Sequence, residues 1–468
     1  MHSPASCPEG GGGPLRQEVL RKELIAYSPK KWAVNIPGKH YAFKIEDWIP
    51  ALSGAIGKVA LLAAFSVAWA KGLGIVHPDF VTESVRLEIV LGSVLTLLFC
   101  AVLNPYAGPP GTLAPLIPVV PVMALSGVHP LPLGILIGVI GLMISAVNGF
   151  SRIVQINGTG TKGGIILLFG FMGITSSLES LRTWSAGQGV SELFTVLLIL
   201  GIVIFLLLNK LKLRWLIIPV CAVMALAAAA AYDVYPQMKT PAGLPILNPY
   251  WWWHEGWGIG WGLNARNFLQ ALPFALLAVV MWPIDALAIK TIQENNYPRE
   301  AKQAVFHMNA TYFIVALRNI MGVVLGGSQV AAVWRSFMIP LGMVKRPIGA
   351  SAFLLGILGM LSGLLGFPVD IAVFPPLLGL VLIFGIYVPL LEVGLDTIKS
   401  TSDIQIASLC LIAGIAVNPV IGWVTAILAE NFKLIPAGEK AGELSARDKW
   451  LTASITGVTL LTFFAAGR

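Results

Sequence analysis

Two charged residues, Arg335 and Asp285, lie inside apolar stretches of the sequence. Arg335 follows the run VAAVW, and Asp285 follows the run VVMWPI. A charged group away from water is costly and needs a partner of opposite charge, so both residues are candidates for binding ions. An arginine at a helix N-terminus can bind an anion, because the helix adds unpaired N–H groups and a positive dipole end. A buried carboxylate can bind Na⁺ or carry a proton.

Structural roles remain open for both residues. Arg335 could form an ion pair with Asp285 or Asp370, and Asp285 could simply be the partner of Arg335 or Lys290. The candidate substrate site also includes small or polar residues near Arg335 and at the matching place in the first half of the chain: Ser336, Ser328, Gln329, Thr112 and Gly111. Helix capping is a sufficient alternative reason for the hydroxyl groups at these positions. Lys58, in the first apolar run, either snorkels or lines the route of an anion.

Composition indicates a membrane protein. The chain has 468 residues, of which 56% are hydrophobic and 12% are charged. Soluble domains carry about 25% charged residues, so much of the surface of this chain must face a solvent other than water. The apolar runs suffice for roughly 12 to 14 membrane spans. Basic residues cluster in short loops, which predicts a cytoplasmic N-terminus and argues against nucleic-acid binding as the reason for the net charge of +8.

The sequence contains no pattern typical of an enzyme active site. The six histidines are scattered, and neither HExxH nor GxSxG occurs. We therefore expect no enzymatic activity, no catalytic residues and no metal or cofactor, apart from Na⁺ or H⁺ as a coupling ion at Asp285.

The apolar runs fall into two halves. We expect a cytoplasmic N-terminal segment at 1–47, a first half at 48–232, a Trp-rich periplasmic connection at 233–266 and a second half at 267–468. Spans are expected near 48–70, 87–103, 131–149, 163–180, 192–208 and 215–232, and then near 268–290, 305–325, 348–366, 371–390, 404–430 and 449–466. The run 404–430 contains Asn418-Pro419 and could be one helix or two. The tryptophans at 251–253, 257 and 261 are interpreted as an interfacial belt.

One stretch in each half is interrupted by glycine or proline and then followed by a short apolar run. The first is NPYAGPPGT at 104–112, before 113–126, and the second is GGSQ at 326–329, before 330–344. Irregular backbone at membrane depth is tolerated only inside protein or beside a water-filled cavity. Short, interrupted segments at matching positions of two halves indicate the midplane binding site of a secondary transporter.

With these two stretches, the sequence resembles the superfamily of nucleobase permeases, sulfate permeases and bicarbonate exchangers. Residues 106–118 are similar to the third segment of that superfamily, 272–293 to the eighth and 326–344 to the tenth. Residues 27–48 are similar to a small, uncharacterised bacterial family within it. The resemblance implies an all-α integral membrane fold of 14 transmembrane segments in two inverted repeats of seven. Segments three and ten are then half-helices preceded by short strands. A core domain (segments 1–4 and 8–11) would move against a gate domain (segments 5–7 and 12–14).

The resemblance also implies roles for the candidate residues. Sulfate permeases carry an arginine placed similarly to Arg335, and related carriers have an acidic residue for cation coupling near the position of Asp285. Nucleobase permeases have a glutamate at the position of Met281, one turn before Asp285. This difference argues against a nucleobase substrate.

We therefore expect a secondary active transporter of a small anion: sulfate, bicarbonate or a small carboxylate. The anion would bind between two half-helix N-termini, with coupling to Na⁺ or H⁺. The alternatives are a nucleobase/cation symporter and an anion channel on the same fold. The expected partners are the anion, the lipid bilayer and a second copy in a homodimer. The expected location is a bacterial inner membrane, with several crossings.

Overall fold

The computed structural model describes residues 14–435 and 445–466, and the regular secondary structure of these residues is helical. The described part of the N-terminal segment contains α1 (Pro14–Ile25). The first half contains eight α-helices: α2 (Trp48–Leu73), α3 (Phe80–Leu95), α4 (Val120–Leu125), α5 (Pro130–Ala146), α6 (Phe150–Ile156), α7 (Thr159–Gly187), α8 (Ser191–Lys210) and α9 (Ile217–Ala230). The connection contains α10 (Pro249–Trp251). The remaining ten helices of the described residues are α11 (Ala265–Asn296), α12 (Met308–Val324), α13 (Arg335–Met343), α14 (Ile348–Leu365), α15 (Phe367–Ala372), α16 (Pro375–Leu380), α17 (Val388–Thr397), α18 (Thr401–Ala416), α19 (Pro419–Asn431) and α20 (Ala446–Ala466).

Several of these helices are long enough to cross a membrane. Within the described ranges, seven helices have the necessary length and apolar composition, and there are eight if α5 and α6, bent by 102°, form one span. Shorter apolar helices occur at Ala114–Leu125, Arg214–Ala230 and Thr401–Ala416. The chain is therefore a multi-pass, all-helical membrane protein, as its composition predicts.

The second span begins earlier than the sequence suggests. It was expected at 87–103, but α3 begins at Phe80 and continues as a π-helix over Thr96–Leu103. The helix therefore includes Glu83 and Arg86, which form a buried ion pair one turn apart. The expected boundary was wrong because charged residues suggest a helix end in water, whereas this pair neutralises its charges inside the protein.

Two predicted spans of the second half are divided differently from expectation. The span expected at 371–390 begins at Pro375, after the separate short helix α15, and runs through a π-helix to Thr397. The run 404–430 forms two helices, α18 and α19. Asn418 separates them, because its Oδ1 accepts hydrogen bonds from the N–H groups of Val420 (2.8 Å) and Ile421 (3.2 Å) and so caps α19.

The two interrupted stretches meet in the middle of the molecule. Residues 109–113 and 330–334 are extended and antiparallel; the N–H of Gly111 donates to the carbonyl of Ala332 (2.6 Å), and that of Leu113 to Val330 (2.9 Å). The prediction of short strands is wrong in detail, because these two segments form one isolated bridge, Pro110 to Val333. Pro109 and Pro110 have no N–H to donate, so the pairing cannot extend. The chain then enters a 3₁₀ helix (Ala114–Val119) leading into α4, and α13 on the other side.

The Trp-rich connection packs against the protein. Trp252, Trp253 and Trp257 are buried, and the Trp257 ring lies 4.7 Å from that of Phe80 at the start of α3. The indole N–H of Trp257 donates to the carbonyl of Gly326, at the start of the second interrupted stretch (2.9 Å). The interpretation of these three tryptophans as an interfacial belt is therefore wrong, because neighbouring helix ends cover them.

Candidate functional site

The turn of α11 that carries Asp285 is fixed by aromatic packing. The ring of Trp282 stacks on Tyr312 of α12 with centroids 5.3 Å apart, and the Tyr312 hydroxyl donates to the Trp282 carbonyl. Pro283 stands in the middle of α11 and removes a backbone donor, which weakens the helix at this turn. Neighbouring side chains therefore hold Asp285 at a defined depth.

Arg335 is the first residue of α13 and forms an ion pair with Asp285. Its Nη1 donates to Asp285 Oδ1 at 2.6 Å, and this is the one hydrogen bond that its side chain makes to the described residues. The Asp285 side chain is 2% exposed, whereas that of Arg335 is 21% exposed. Asp285 Oδ2 is buried without a hydrogen-bond partner among the described residues. The pair thus keeps unused donors on the arginine and an unused acceptor on the carboxylate.

A narrow cavity lies beside this ion pair. Its wall includes Arg335 and Asp285 together with Pro115, from the first interrupted segment. The opposite wall is apolar and comes from Ile166 of α7 and two residues of α17, Leu390 and Val393. The cavity has about 10 Å³ of room for the centre of a water molecule, which is near the lower limit for one ordered water.

Ser336 follows Arg335 and faces α2. Its Oγ is buried and has no hydrogen-bond partner among the described residues. A Cβ atom built on Gly57 would lie 2.7 Å from this oxygen. Ser336 therefore lies in the contact between α13 and α2.

Thr112, Gln329 and Ser328 belong to a different, fully buried cluster. Thr112 Oγ1 donates to Gln329 Oε1 at 2.7 Å, and Lys58 Nζ donates to the same oxygen at 2.9 Å. Gln329 Nε2 donates to Glu88 Oε2 at 2.9 Å. The Ser328 hydroxyl lies within hydrogen-bond distance of two other serine hydroxyls, Ser66 (2.9 Å) and Ser84 (2.8 Å). These residues were expected at the substrate. The structure brings them together in a buried cluster, and none of them lines the cavity beside Arg335.

Sequence reasoning missed the ion pair at the centre of this cluster. Glu88 of α3 and Arg318 of α12 are in contact, and each side chain is 1% exposed. Both stand inside apolar runs, which is the signal that could have identified them. We call the set of Lys58, Glu88, Arg318, Thr112 and Gln329 the buried polar cluster.

Gly111 acts through its backbone. A Cβ at this position would lie 2.4 Å from the Cα of Trp334, so the crossing of the two extended segments leaves no room for a side chain.

The other proposed partner of Arg335, Asp370, is engaged elsewhere. Its carboxylate accepts hydrogen bonds from the N–H groups of Lys239 and Thr240, both at 2.9 Å.

Comparisons with known proteins agree with this architecture. Residues 1–467 match a family described as "Protein of unknown function (DUF3360)". No curated protein matches the chain. The structure of the murine Solute Carrier 26 family member A9 anion transporter in the inward-facing state is similar with a TM-score of 0.53 and 12% identity. This similarity covers 92% of the present chain and 73% of the murine one.

The transmembrane domain of the cyanobacterium bicarbonate transporter BicA is also similar. Its TM-score is 0.53 at 13% identity, covering 82% of the present chain and 97% of BicA. At such low identity the shared property is the fold. The predicted resemblance is therefore confirmed for the fold alone.

Proposed function

The chain belongs to the family described as protein of unknown function (DUF3360), and we propose that it is a secondary active transporter of a small anion. Sulfate, bicarbonate and small carboxylates are the candidate substrates. Two proteins that share the fold are described as an anion transporter and a bicarbonate transporter, which supports the proposal.

The observation that carries the proposal is the ion pair of Arg335 and Asp285 at the cavity. Arg335 has donors beyond the one used by Asp285, and it stands at the N-terminus of α13, where the helix dipole is positive. A planar guanidinium with free N–H groups suits carboxylate, sulfate and bicarbonate oxygens. Ser336, Ser328, Gln329, Thr112 and Gly111 are proposed to complete the substrate site when it opens, since none of them lines the cavity in this structure.

Asp285 is proposed as a coupling residue. An anion that draws Arg335 away would leave this buried carboxylate without its partner. A carboxylate in that position binds Na⁺ or a proton to restore neutrality. Anion and cation would then move together.

Alternating access is proposed as movement of a core domain past a gate domain. The core would contain α2–α6 and α11–α14, and the gate α7–α9 and α16–α19. The cavity lies between residues of these two groups, which supports the division. In this topology two inverted repeats of seven segments end at α19, with 48–232 as the first and 233–266 as the connection. The second repeat was expected to extend to 468, but because 404–430 forms two helices, α20 becomes an additional helix. A homodimer in a bacterial inner membrane, with segment 1–47 in the cytoplasm, completes the proposal.

The direct test is flux into proteoliposomes that contain the purified protein. Uptake of radiolabelled sulfate, bicarbonate and formate is measured with and without Na⁺ and pH gradients. We expect one of these anions to accumulate, and we expect Arg335→Gln to abolish this uptake while Arg335→Lys retains part of it. The matched control is Arg182→Gln, at an exposed arginine near the end of α7. Uptake that is unaffected by Arg335→Gln would refute the assigned site.

A nucleobase/cation symporter is the second candidate. The ion pair is also compatible with this function, in which Arg335 would serve only to hold Asp285. In this case uracil or xanthine uptake would be lost in Asp285→Ala and kept in Arg335→Ala. An anion channel would give flux that neither saturates nor depends on a cation gradient.

A further inference from the structure

Lys58 is a buried amine that the proposed anion site does not use. Its side chain on α2 is fully buried, and its one hydrogen bond goes to the neutral amide oxygen of Gln329 (2.9 Å). Its Nζ also lies 5.0 Å from the centroid of the Trp334 ring. No carboxylate among the described residues lies within ion-pair distance of it. An ammonium group taken from water into such surroundings is strongly disfavoured unless a counter-charge is near.

The carboxylates on the elements packed around Lys58 and its helix each have another partner, including Glu46, which pairs with Arg16. Glu88 is paired with Arg318, whose own positive charge further opposes a charge on Lys58. The other carboxylates and their partners are Asp285 with Arg335, Glu83 with Arg86, Asp47 with Arg346, and Asp370 with the N–H groups of Lys239 and Thr240. The elements α4, α9, α14 and α16, which also pack on α2, contain no charged residue. Without an anion from outside the protein, the neutral amine is therefore the favoured state of Lys58.

Lys58 lies close to the place where the proposed anion binds. The neighbouring Gly57 packs against Ser336, and Trp334, which lies beside the Lys58 amine, immediately precedes Arg335. Through Gln329 the amine is also joined to Thr112 of the other interrupted segment. A change of charge on Lys58 would therefore act on both segments that frame the cavity.

We propose that Lys58 takes up one proton when an anion enters the cavity beside Arg335, and releases it when the anion leaves. This inference rests on the proposed anion transport. The lone pair of the neutral Nζ accepts a proton from the aqueous side, and the resulting ammonium is balanced by the single negative charge of the anion. For a singly charged anion the occupied core then has the same net charge as the empty one, so the proton on Lys58 takes the place of the cation proposed above at Asp285. Anion and proton are carried together, and Na⁺ is not required for this step.

The test measures how anion binding depends on pH in the full-length purified protein. Nitrate and chloride are the probes, because both stay singly charged from about pH 5 to pH 9, and binding is followed as stabilisation against heat. For the unmodified protein we expect the apparent affinity to rise as pH falls, by up to about tenfold per pH unit for one linked proton.

Two variants isolate the amine. Lys58→Arg keeps a permanent charge, so we expect strong binding that no longer depends on pH. Lys58→Met removes the charge, so we expect weak binding that is also independent of pH. Lys71→Met, at an exposed lysine in the last turn of the same helix, is the matched control and keeps the dependence of the unmodified protein.

The outcomes separate this inference from the function on which it rests. If neither nitrate nor chloride stabilises the unmodified protein at any pH, no anion is linked to a proton on Lys58 and the inference is refuted. Absence of anion uptake in the proteoliposome assay would refute the anion site as well. If the anions bind but their pH dependence survives in both Lys58 variants, the inference alone is wrong. If the dependence is instead lost in Asp285→Asn and kept in Lys58→Arg, the coupled proton binds at Asp285. If Lys58→Met fails to fold, Lys58→Arg still decides the question.

Discussion

At the scale of single residues, Arg346 joins the N-terminal segment to the membrane helices. It is fully buried between α13 and α14. Its Nε and Nη2 each donate to Asp47 at 2.9 Å, and its Nη1 donates to Glu23 at 2.9 Å. The Asp47 side chain is also fully buried, so the charges of Arg346 and Asp47 are both removed from water.

Removing this arginine should destabilise the protein strongly. Arg346→Met leaves Asp47 buried without its counter-charge, which we expect to cost about 3–5 kcal/mol of unfolding free energy. Denaturation of the detergent-solubilised protein would measure this. Arg21→Met is the control, because its pair with Glu300 is long (3.6 Å) and more than half exposed, and such pairs contribute little. An equal loss of stability in the two variants would contradict the argument.

His129 should make stability depend on pH. It caps α5: its Nδ1 accepts the N–H of Leu131 (3.2 Å), and its Nε2 lies 3.1 Å from the Gly260 carbonyl and donates to it. Burial lowers the pKa of His129, and the bond to Gly260 offsets part of this effect. The unfolded chain therefore binds a proton more readily. Stability is complete above the unfolded pKa of about 6.5 and falls as pH decreases towards the folded pKa.

The corresponding measurement is the melting temperature between about pH 7.5 and pH 5. We expect a decrease with falling pH that becomes shallower in His129→Asn, which keeps a capping side chain without a titrating group. Part of the decrease should remain, because burial also lowers the pKa of His307. His254→Asn, at an exposed histidine, should leave the profile unchanged. A profile identical in all three proteins would show that His129 does not titrate with unfolding.

Sequence reasoning at the residue scale identified the charged groups better than their partners. Arg335 and Asp285 were both singled out, and their ion pair was among the alternatives, because a charged residue is rare and costly within an apolar run. Glu88 and Arg318 are also charged residues among apolar ones, but they were missed. Glu88 stood at the edge of the span expected at 87–103. Lys58 and Gln329 are 271 residues apart, and a pattern in one sequence contains no distance between such positions.

At the scale of elements, the crossing of the two extended segments depends on Gly111. Any side chain there would enter the backbone of Trp334, because a Cβ would lie 2.4 Å from its Cα. Gly111→Ala must therefore push 109–113 and 330–334 apart. The pairing that joins the two half-helices would be lost, along with the hydrogen bond from Thr112 to Gln329.

We expect Gly111→Ala to abolish transport and to lower stability by about 1–3 kcal/mol, the range for overpacking of a close contact. Flux into proteoliposomes and denaturation in detergent would measure the two effects. Gly457→Ala is the matched control, since it lies within helix α20 with no atom within 4 Å of an added Cβ. That change should be neutral or slightly stabilising, because alanine favours helix more than glycine does. Normal transport by Gly111→Ala would show that the crossing tolerates a wider separation.

The elements were predictable where composition alone defines them. The two interrupted stretches follow from proline and glycine at 104–112 and 326–329 and from the short apolar runs after them. Their pairing as strands was not correctly predicted, because Pro109 and Pro110 limit it to one bridge. The tryptophans of the connection were misplaced for a related reason. An aromatic residue suits a lipid interface and a protein interior equally well, and only the packing on Phe80 distinguishes them.

At the scale of the whole molecule, the charged residues on the cavity wall lie on one side of it. Arg335 and Asp285 belong to helices assigned to the core, while the lining residues of α7 and α17 are apolar. An apolar surface without ion pairs to the core can slide, because no charged contact has to break as the two groups move. The proposed movement therefore predicts that a covalent link across the cavity will stop transport.

A cross-link between α11 and α17 tests this movement. In a chain whose cysteines have been replaced, Ala288→Cys and Val393→Cys place one thiol on each wall of the cavity. Joining them with a short, reducible bifunctional reagent should abolish anion flux, and reduction should restore it. The control pair, Leu167→Cys and Gly394→Cys, lies within the proposed gate, where a Cβ on Gly394 would be 2.8 Å from Leu167 Cγ. Its cross-link should leave flux intact, because both helices would move as one body. Unchanged flux through the linked α11–α17 pair would contradict a relative movement of these helices, and loss of flux in the control would place the moving boundary inside the gate.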